Sequence, residues 1–391
     1  MKHVLVLNQF AVPRHVAGGT RHLELFSRLD GWTSRIIAGR TTLSGEQFRS
    51  DDAFIAVPVT PYRGNGIDRM LNWASYSTLA VMCGVFRWER PDVVYGSSPQ
   101  LGAALAALIV AKARRAAFVF EVRDLWPQIL VEAGSLSESS GVYRVLKRLE
   151  MGLYRQADRI VVLAEGSQRA LVAQGIPSEK IVFIPNGADR EDFVTETPRH
   201  ELRRRYGFER FTMVYAGAHG PANGLGLVLD AAEELMRSDA QIDFCLVGDG
   251  VSKSALIADA EARGLTNVRF LPPVAKSEVP DVLAAADGGL HCLADVELFK
   301  SGVSPNKLYD YMAAGLPVLT NTGGDVAAMV NGADSGLAVS PTGIAAGALS
   351  LATSAADELS RMARSGQSYM ERERSRSAMA NRLTVLLNAL A

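Results

Sequence analysis

Short apolar runs bounded by turn residues alternate with stretches of helical spacing along most of the chain. No other feature restricts the fold as much. HVLVLN, SRIIAG, DVVYGSS, AFVFEV, RIVVLAE and IVFIPNG read as strands, with helices such as TRHLELFSRL between most of them. A repeated strand–helix–strand order builds a parallel sheet with helices on both faces. After IPNGADREDF the pattern restarts with TMVYAG, IDFCLVGDG, VRFLPPV, GGLHCL and PVLTN, again separated by helical stretches. The expected fold class is α/β: two Rossmann-like domains facing each other across a cleft, with ligands at the strand C-terminal ends.

At 391 residues the chain exceeds one ordinary hydrophobic core. We place the first domain at 1–188 and the second at 189–369, with a linker from Asn186 to Pro198 that mixes turn formers and charge. The tail, about 370–391, reads as a long amphipathic helix that packs back onto the first domain. An apolar content of 48% with 21% charged residues excludes a disordered chain. Cys83, Cys245 and Cys292 lie far apart and form no disulfide framework, so a reducing cytoplasm is expected. The six histidines form no metal-ligand cluster, and no metal or cofactor is expected. The N-terminal apolar run is too short for a signal peptide, and LGAALAALIVA is too short to span a bilayer. A net charge of −1 conceals +6 over residues 1–190 and −7 over the remainder. That asymmetry fits an anionic surface or substrate on one side; nucleic acid is not expected as a partner.

The stretch SPNKLYDYMAAGLPV has the punctuation of a short helix. Ser304 suits the N-cap, Pro305 the first helical position, and Gly315 the stop. Main-chain amides around Ser304, Pro305 and Asn306 would then face an anion at the positive end of the helix dipole. Lys307 adds a full charge, and Asp310 on the same face suits a ribose diol. A plain capped helix with a solvated polar stripe is the alternative. In YAGAHGPANG, Gly217, Gly220 and the turn up to Asn223 allow amides to approach phosphates, and His219 could donate to an oxyanion; an ordinary turn with a surface histidine is equally open. Gly248 in LVGDG is assigned to the cleft rim, and the main chain at Phe270 and Leu271 to a base edge. In the first half, Gly18 and Gly19 precede a helix bearing Arg21, a second phosphate cradle. Arg123 and Asp124 end a strand in EVRDLWPQ, as an internal salt bridge or as active-site groups. The dinucleotide fingerprint G-x-G-x-x-G is not matched after the first strand of either half, which disfavours a nicotinamide enzyme. Two helices carrying Arg69, Arg87, Trp88, Arg144, Lys147 and Arg148 beside apolar faces could lie on anionic lipid or form core and solvated rim.

Taken in order, AGG after the first strand, EVRDLWPQ, ADRIVVLAEG, IPNGAD, VYAGAHGPANGL, LVGDG, VRFLPPV, SPNKLYDYMAAGLPVL and SGLAVSP resemble glycosyltransferase family 4, the retaining enzymes of the GT-B fold. RDLWPQ with SPNKLYDYMAAG looks most like the subgroup containing the N-acetylfucosamine transferases of O-antigen assembly. The resemblance implies a nucleotide-diphosphate sugar donor, UDP-linked, held mainly by the second domain. It implies a lipid-linked or small-molecule glycan acceptor, a cytoplasmic protein at the inner membrane face, and no metal. Asp310 matches the second glutamate of the family's paired-glutamate motif, while the first falls at Gly302. The family's diphosphate-gripping Arg and Lys fall at Ala218 and Asn223, so Lys307, His219 and the amides of 304–307 are expected to supply that charge. Arg123 stands where many relatives carry a histidine near the reacting sugar. The expected catalytic set is therefore Lys307, His219, Arg123 and Asp124. The alternatives are a natural-product glycosyltransferase with a soluble acceptor, a non-hydrolysing sugar-nucleotide epimerase, and an inactive nucleotide-sugar-binding protein.

Overall fold

The computed structural model describes residues 1–16, 19–42, 45–62, 66–86, 88–132, 136–296 and 302–391. The chain divides into two compact units, Met1–Pro185 with Arg376–Ala391, and Asn186–Ser375.

The first unit holds seven parallel strands: β1 (Lys2–Leu7), β2 (Trp32–Gly39), β3 (Phe54–Val57), β4 (Val93–Ser97), β5 (Ala117–Val122), β6 (Arg159–Val162) and β7 (Ile181–Phe183). Their order is β3-β2-β1-β4-β5-β6-β7. β1 shows why the apolar run is unbroken, since Val4, Leu5, Val6 and Leu7 are all fully buried. Leu5 and Leu7 pack under helices Ile67–Phe86 and Leu101–Arg114, whereas Val4 and Val6 face helices Arg21–Phe26 and Arg376–Asn388. A strand covered on both faces must be apolar on both. The last helix belongs to this core through Met379, Leu383, Leu386 and Leu387. Each such buried side chain contributes about 1.5–3 kcal/mol.

The second unit repeats the plan with β8 (Phe211–Ala216), β9 (Ile242–Val247), β10 (Val268–Leu271), β11 (Gly288–His291), β12 (Val318–Thr320) and β13 (Gly336–Ala338), all parallel. The order is β10-β9-β8-β11-β12-β13. On β8, Met213 and Tyr215 face one layer, including helix Gly226–Arg237, and Val214 faces the other, including helix Asn306–Ala313.

Two boundaries differ from the sequence reading. The units divide after Pro185 rather than after 188, because Asn186 is already bonded to Ser304 of the second unit. The returning helix begins at Arg376 rather than near 370: Met370–Arg374 form a π-helical turn and Ser375 is extended. Helix Asn306–Ala313 also starts later than its punctuation suggests. Pro305 occupies the N-cap in an extended conformation, so Ser304 lies outside the helix and caps nothing. The stop is at Gly315, whose φ of +75° is open to glycine at little cost.

Candidate functional site

Strand order in the second sheet reverses between β8 and β11. The carboxyl end of a sheet at such a reversal is the usual ligand position in open α/β folds, and a loop leaves each of those strands there. The first loop runs through Gly217, His219, Gly220 and Asn223; the second leads into helix Asn306–Ala313. The sequence reading singled out both, and the fold brings them together. A Cβ at Gly217 would stand 2.9 Å from Lys307 Cε. Lys307 Nζ donates to Tyr215 Oη at 3.0 Å and to Asn223 Oδ1 at 3.0 Å, and lies 4.6 Å from the centre of the Tyr215 ring. Burial pushes the Lys307 ammonium down to about 8, against the pull of the Asp310 carboxylate.

The same two segments carry main-chain donors without a protein acceptor. The amides of Asn306 and Lys307 have no acceptor, as befits the first turn of a helix, and neither do those of Ala218 and Gly220. Pro305 carries no N–H and serves only to direct the chain into the helix. Asp310 is half-buried one turn along from Lys307. Gly248 packs so closely beneath the first loop that a Cβ there would lie 2.0 Å from Gly217 O, and its φ is +138°. No larger residue fits.

Several assignments change. Ser304 is committed elsewhere: its hydroxyl accepts from the Asn186 amide at 3.2 Å and meets Tyr309 Oη at 3.0 Å. His219 is not a surface residue. Its ring is fully buried against Tyr215 and Phe270, both nitrogens lack hydrogen-bond partners, and burial lowers its pKa. It therefore supplies no positive charge at neutral pH. The Leu271 carbonyl accepts from Lys253 Nζ at 2.9 Å and from the Gly248 amide at 3.3 Å, which commits it to the strand end. Phe270 is half-buried on the same edge strand.

The corresponding reversal in the first sheet lies between β1 and β4. Asn8 Nδ2 donates to Ser98 O at 3.1 Å and the Arg123 amide to Ser98 Oγ at 2.8 Å, which ties the ends of β1, β4 and β5 together. Gly19 lies beside this knot, since a Cβ on it would be 4.0 Å from Arg123 Nη1. Gly18 is outside the described residues. Asp124 is exposed, and the neighbouring Arg123 charge favours its ionised form. Arg21 is not a phosphate ligand. Its side chain is 8% exposed, with Nε on Glu121 at 2.9 Å and the two terminal nitrogens on the carbonyls of Pro185 and Ile184, each at 2.7 Å. Glu121 is fully buried and also accepts from His22, Tyr95 and Ser97.

Tyr215, Glu121 and Lys253 were missed by the sequence reading. An acid inside the apolar run AFVFEV was the available signal for Glu121, because such a group must be paired. Among the described residues, no three His, Cys, Asp or Glu side chains are grouped to hold a metal ion, and no helix is long and apolar enough to cross a membrane.

Comparison with known proteins accords with this architecture. A glycosyl transferase 4-like domain model matches residues 19–187, and a glycosyl transferases group 1 model matches 210–357. The chain is 25% identical to the colanic acid biosynthesis glycosyl transferase WcaI of Escherichia coli K12 over 65% of its own length. It is 29% identical to the glycosyltransferase WbjE of Pseudomonas aeruginosa over 66%. These matches span 63% and 62% of the two relatives. Among solved structures, Anabaena HepE in complex with UDP-glucose aligns over 100% of both chains with a TM-score of 0.74 at 17% identity. WaaG, a glycosyltransferase involved in lipopolysaccharide biosynthesis, aligns over 98% of this chain and 99% of its own with a TM-score of 0.69 at 17% identity. With both halves matched in the family's order on two parallel-sheet units, the chain belongs to the family-4-like glycosyltransferases of the GT-B fold.

Proposed function

We propose that the chain is a retaining, metal-independent glycosyltransferase. It moves an N-acetylated amino or deoxy sugar from a UDP-linked donor to a lipid-linked saccharide in O-antigen, capsule or exopolysaccharide assembly. One observation carries this reading: a half-buried lysine beside four unsatisfied amides at the switch point of the second sheet. A pyrophosphate is the ligand whose charge and acceptor oxygens suit these groups. The names of WcaI and WbjE, and the UDP-glucose in the HepE structure, support the substrate class.

In this reading the amides and Lys307 stabilise the charge that develops on the leaving diphosphate. Asp310 accepts from the ribose hydroxyls. The bond from the anomeric carbon to the phosphate oxygen breaks as the acceptor oxygen bonds to the same face. The acceptor proton passes to the departing phosphate oxygen, which accounts for retention without a carboxylate nucleophile. Neutral and fully buried, His219 bears on the diphosphate only through the loop it anchors. In the same reading Gly19 belongs to the donor site, and Arg123 and Asp124 act near the reacting sugar.

A lipid-linked acceptor requires access to a membrane. Helix Gly141–Gln156 exposes Val142 and Val145 beside Arg144 and Arg148, and helix Ile67–Phe86 exposes Ile67, Met70 and Leu71. Other expected lipid contacts are otherwise engaged: Lys147 pairs with Glu150 at 2.6 Å, Trp88 meets the His3 ring, and Arg69 stacks on Tyr62 and Trp73. Arg87 lies outside the described residues. The three buried free thiols accord with a cytoplasmic location at the inner membrane face.

The test is thermal unfolding against a panel of nucleotide sugars. A true donor at a hundred times its dissociation constant stabilises by about 2.7 kcal/mol. Stabilisation by nicotinamide dinucleotides alone, or by no nucleotide, overturns the proposal.

A further inference from the structure

We propose that Tyr215 is a positioning residue for this site: together with Asn223 it seats the Lys307 ammonium, so that the grip on a diphosphate depends on a tyrosine that touches no substrate. The inference rests on the phosphate reading above and assigns a role to a side chain outside the set singled out from sequence.

The geometry is specific. Tyr215 lies on β8 and is fully buried. Its hydroxyl donates to the Ala218 carbonyl at 2.7 Å, which leaves an oxygen lone pair for Lys307 Nζ. The Asn223 amide oxygen takes a second ammonium hydrogen. An ammonium has three hydrogens, so one remains for an anion. The ring beneath the charge adds a cation–π contact at 4.6 Å. The same tyrosine thus connects the lysine to the loop carrying the free amides of Ala218 and Gly220. Burial holds the phenol far above its ordinary pKa, so it remains a neutral hydroxyl.

This seat makes the charge of Lys307 conditional. The titratable groups around it are Tyr215 on β8, His219 in the following loop, His291 and Cys292 at the end of β11, and Asp310 on its own helix. Burial keeps both histidines neutral and Cys292 a thiol near pH 7, and leaves the lysine with a pKa of about 8. Diphosphate binding should therefore weaken as pH rises through about 8, when the ammonium loses its proton. A bound diphosphate favours the charged form, so binding above pH 8 should take up a proton.

The experiment measures UDP and GDP binding by calorimetry from pH 7 to 9 in two buffers of different ionisation enthalpy. The terminal phosphate, with a pKa of about 6, is roughly nine-tenths ionised at pH 7 and more so above it, so its own titration fades as pH rises. Wild type should show proton uptake that grows with pH. Tyr215→Phe keeps the ring but removes the oxygen acceptor. It should weaken binding about tenfold or more at pH 8 and move the pH limb to lower values. Asn223→Asp places a carboxylate against the ammonium and should move the limb to higher pH. A merely structural role would not shift the limb in opposite directions in the two variants. If both variants bind with the wild-type pH profile, the positioning role is refuted while the phosphate site stands. If wild type binds neither diphosphate, the phosphate reading and this inference fall together.

Discussion

Glu121→Gln tests whether the first unit depends on the fully buried carboxylate at the end of β5. Glu121 Oε1 accepts from Arg21 and Tyr95 at 2.9 and 3.0 Å, and Oε2 from His22 and Ser97 at 2.8 and 2.6 Å. These bonds hold its carboxyl in the charged form. Burial alone would raise its pKa, but Arg21 and His22 bring it well below the ordinary range. Gln has the same shape, so packing is not confounded, but it removes the charge opposite Arg21. Breaking a buried pair costs about 3–5 kcal/mol. The low end applies here, because the Ile184 and Pro185 carbonyls still accept from Arg21. About 3 kcal/mol corresponds to a fall of roughly 6–12 °C in melting temperature for a unit of this size. Urea denaturation of the full chain, followed by circular dichroism, measures the loss. The pH dependence has a defined sign. The native carboxyl binds its proton less readily than the unfolded one, so its contribution is present above about pH 4.5 and is lost as pH falls through the native pKa. The gap between wild type and variant should be full at pH 7 and shrink in acid. A variant within about 1 kcal/mol of wild type at pH 7 refutes the reasoning, as does a gap that widens in acid.

Three further outcomes are expected. Lys307→Ala should reduce turnover about a hundredfold or more while leaving the unfolding transition near its wild-type position, and near-normal turnover removes Lys307 from the mechanism. His219→Leu replaces two buried nitrogens that lack partners, so melting temperature should hold or rise while UDP affinity falls; lower stability with unchanged affinity makes His219 a core residue only. The protein should float with anionic liposomes at low salt, and Val142→Glu with Val145→Glu should abolish this; a wild type that never floats favours a soluble acceptor.

The βαβ rhythm was readable because each parallel strand is buried on both faces and must be apolar throughout, as β1 is. The glycines at 217, 248 and 315 were readable because turns and close backbone approach need them. Helix punctuation was less reliable. Ser304 has the chemistry of an N-cap, yet its hydroxyl meets Asn186 and Tyr309, since a tertiary hydrogen bond is worth as much as a local cap.

Residue type and spacing along the chain therefore settled the α/β class, the two-part plan, and the candidate status of Lys307, Asp310 and the glycine turns, all of which follow from local periodicity and backbone sterics. Only the folded structure decided which charges are free to act. Arg21 and Lys307 look alike as isolated cations after a glycine-rich stretch. One is consumed by a buried glutamate a hundred residues away in sequence, and the other is seated with a hydrogen to spare. A cation's partners are set by strand order, which brings distant segments together at a crossover, and no local pattern encodes that distance.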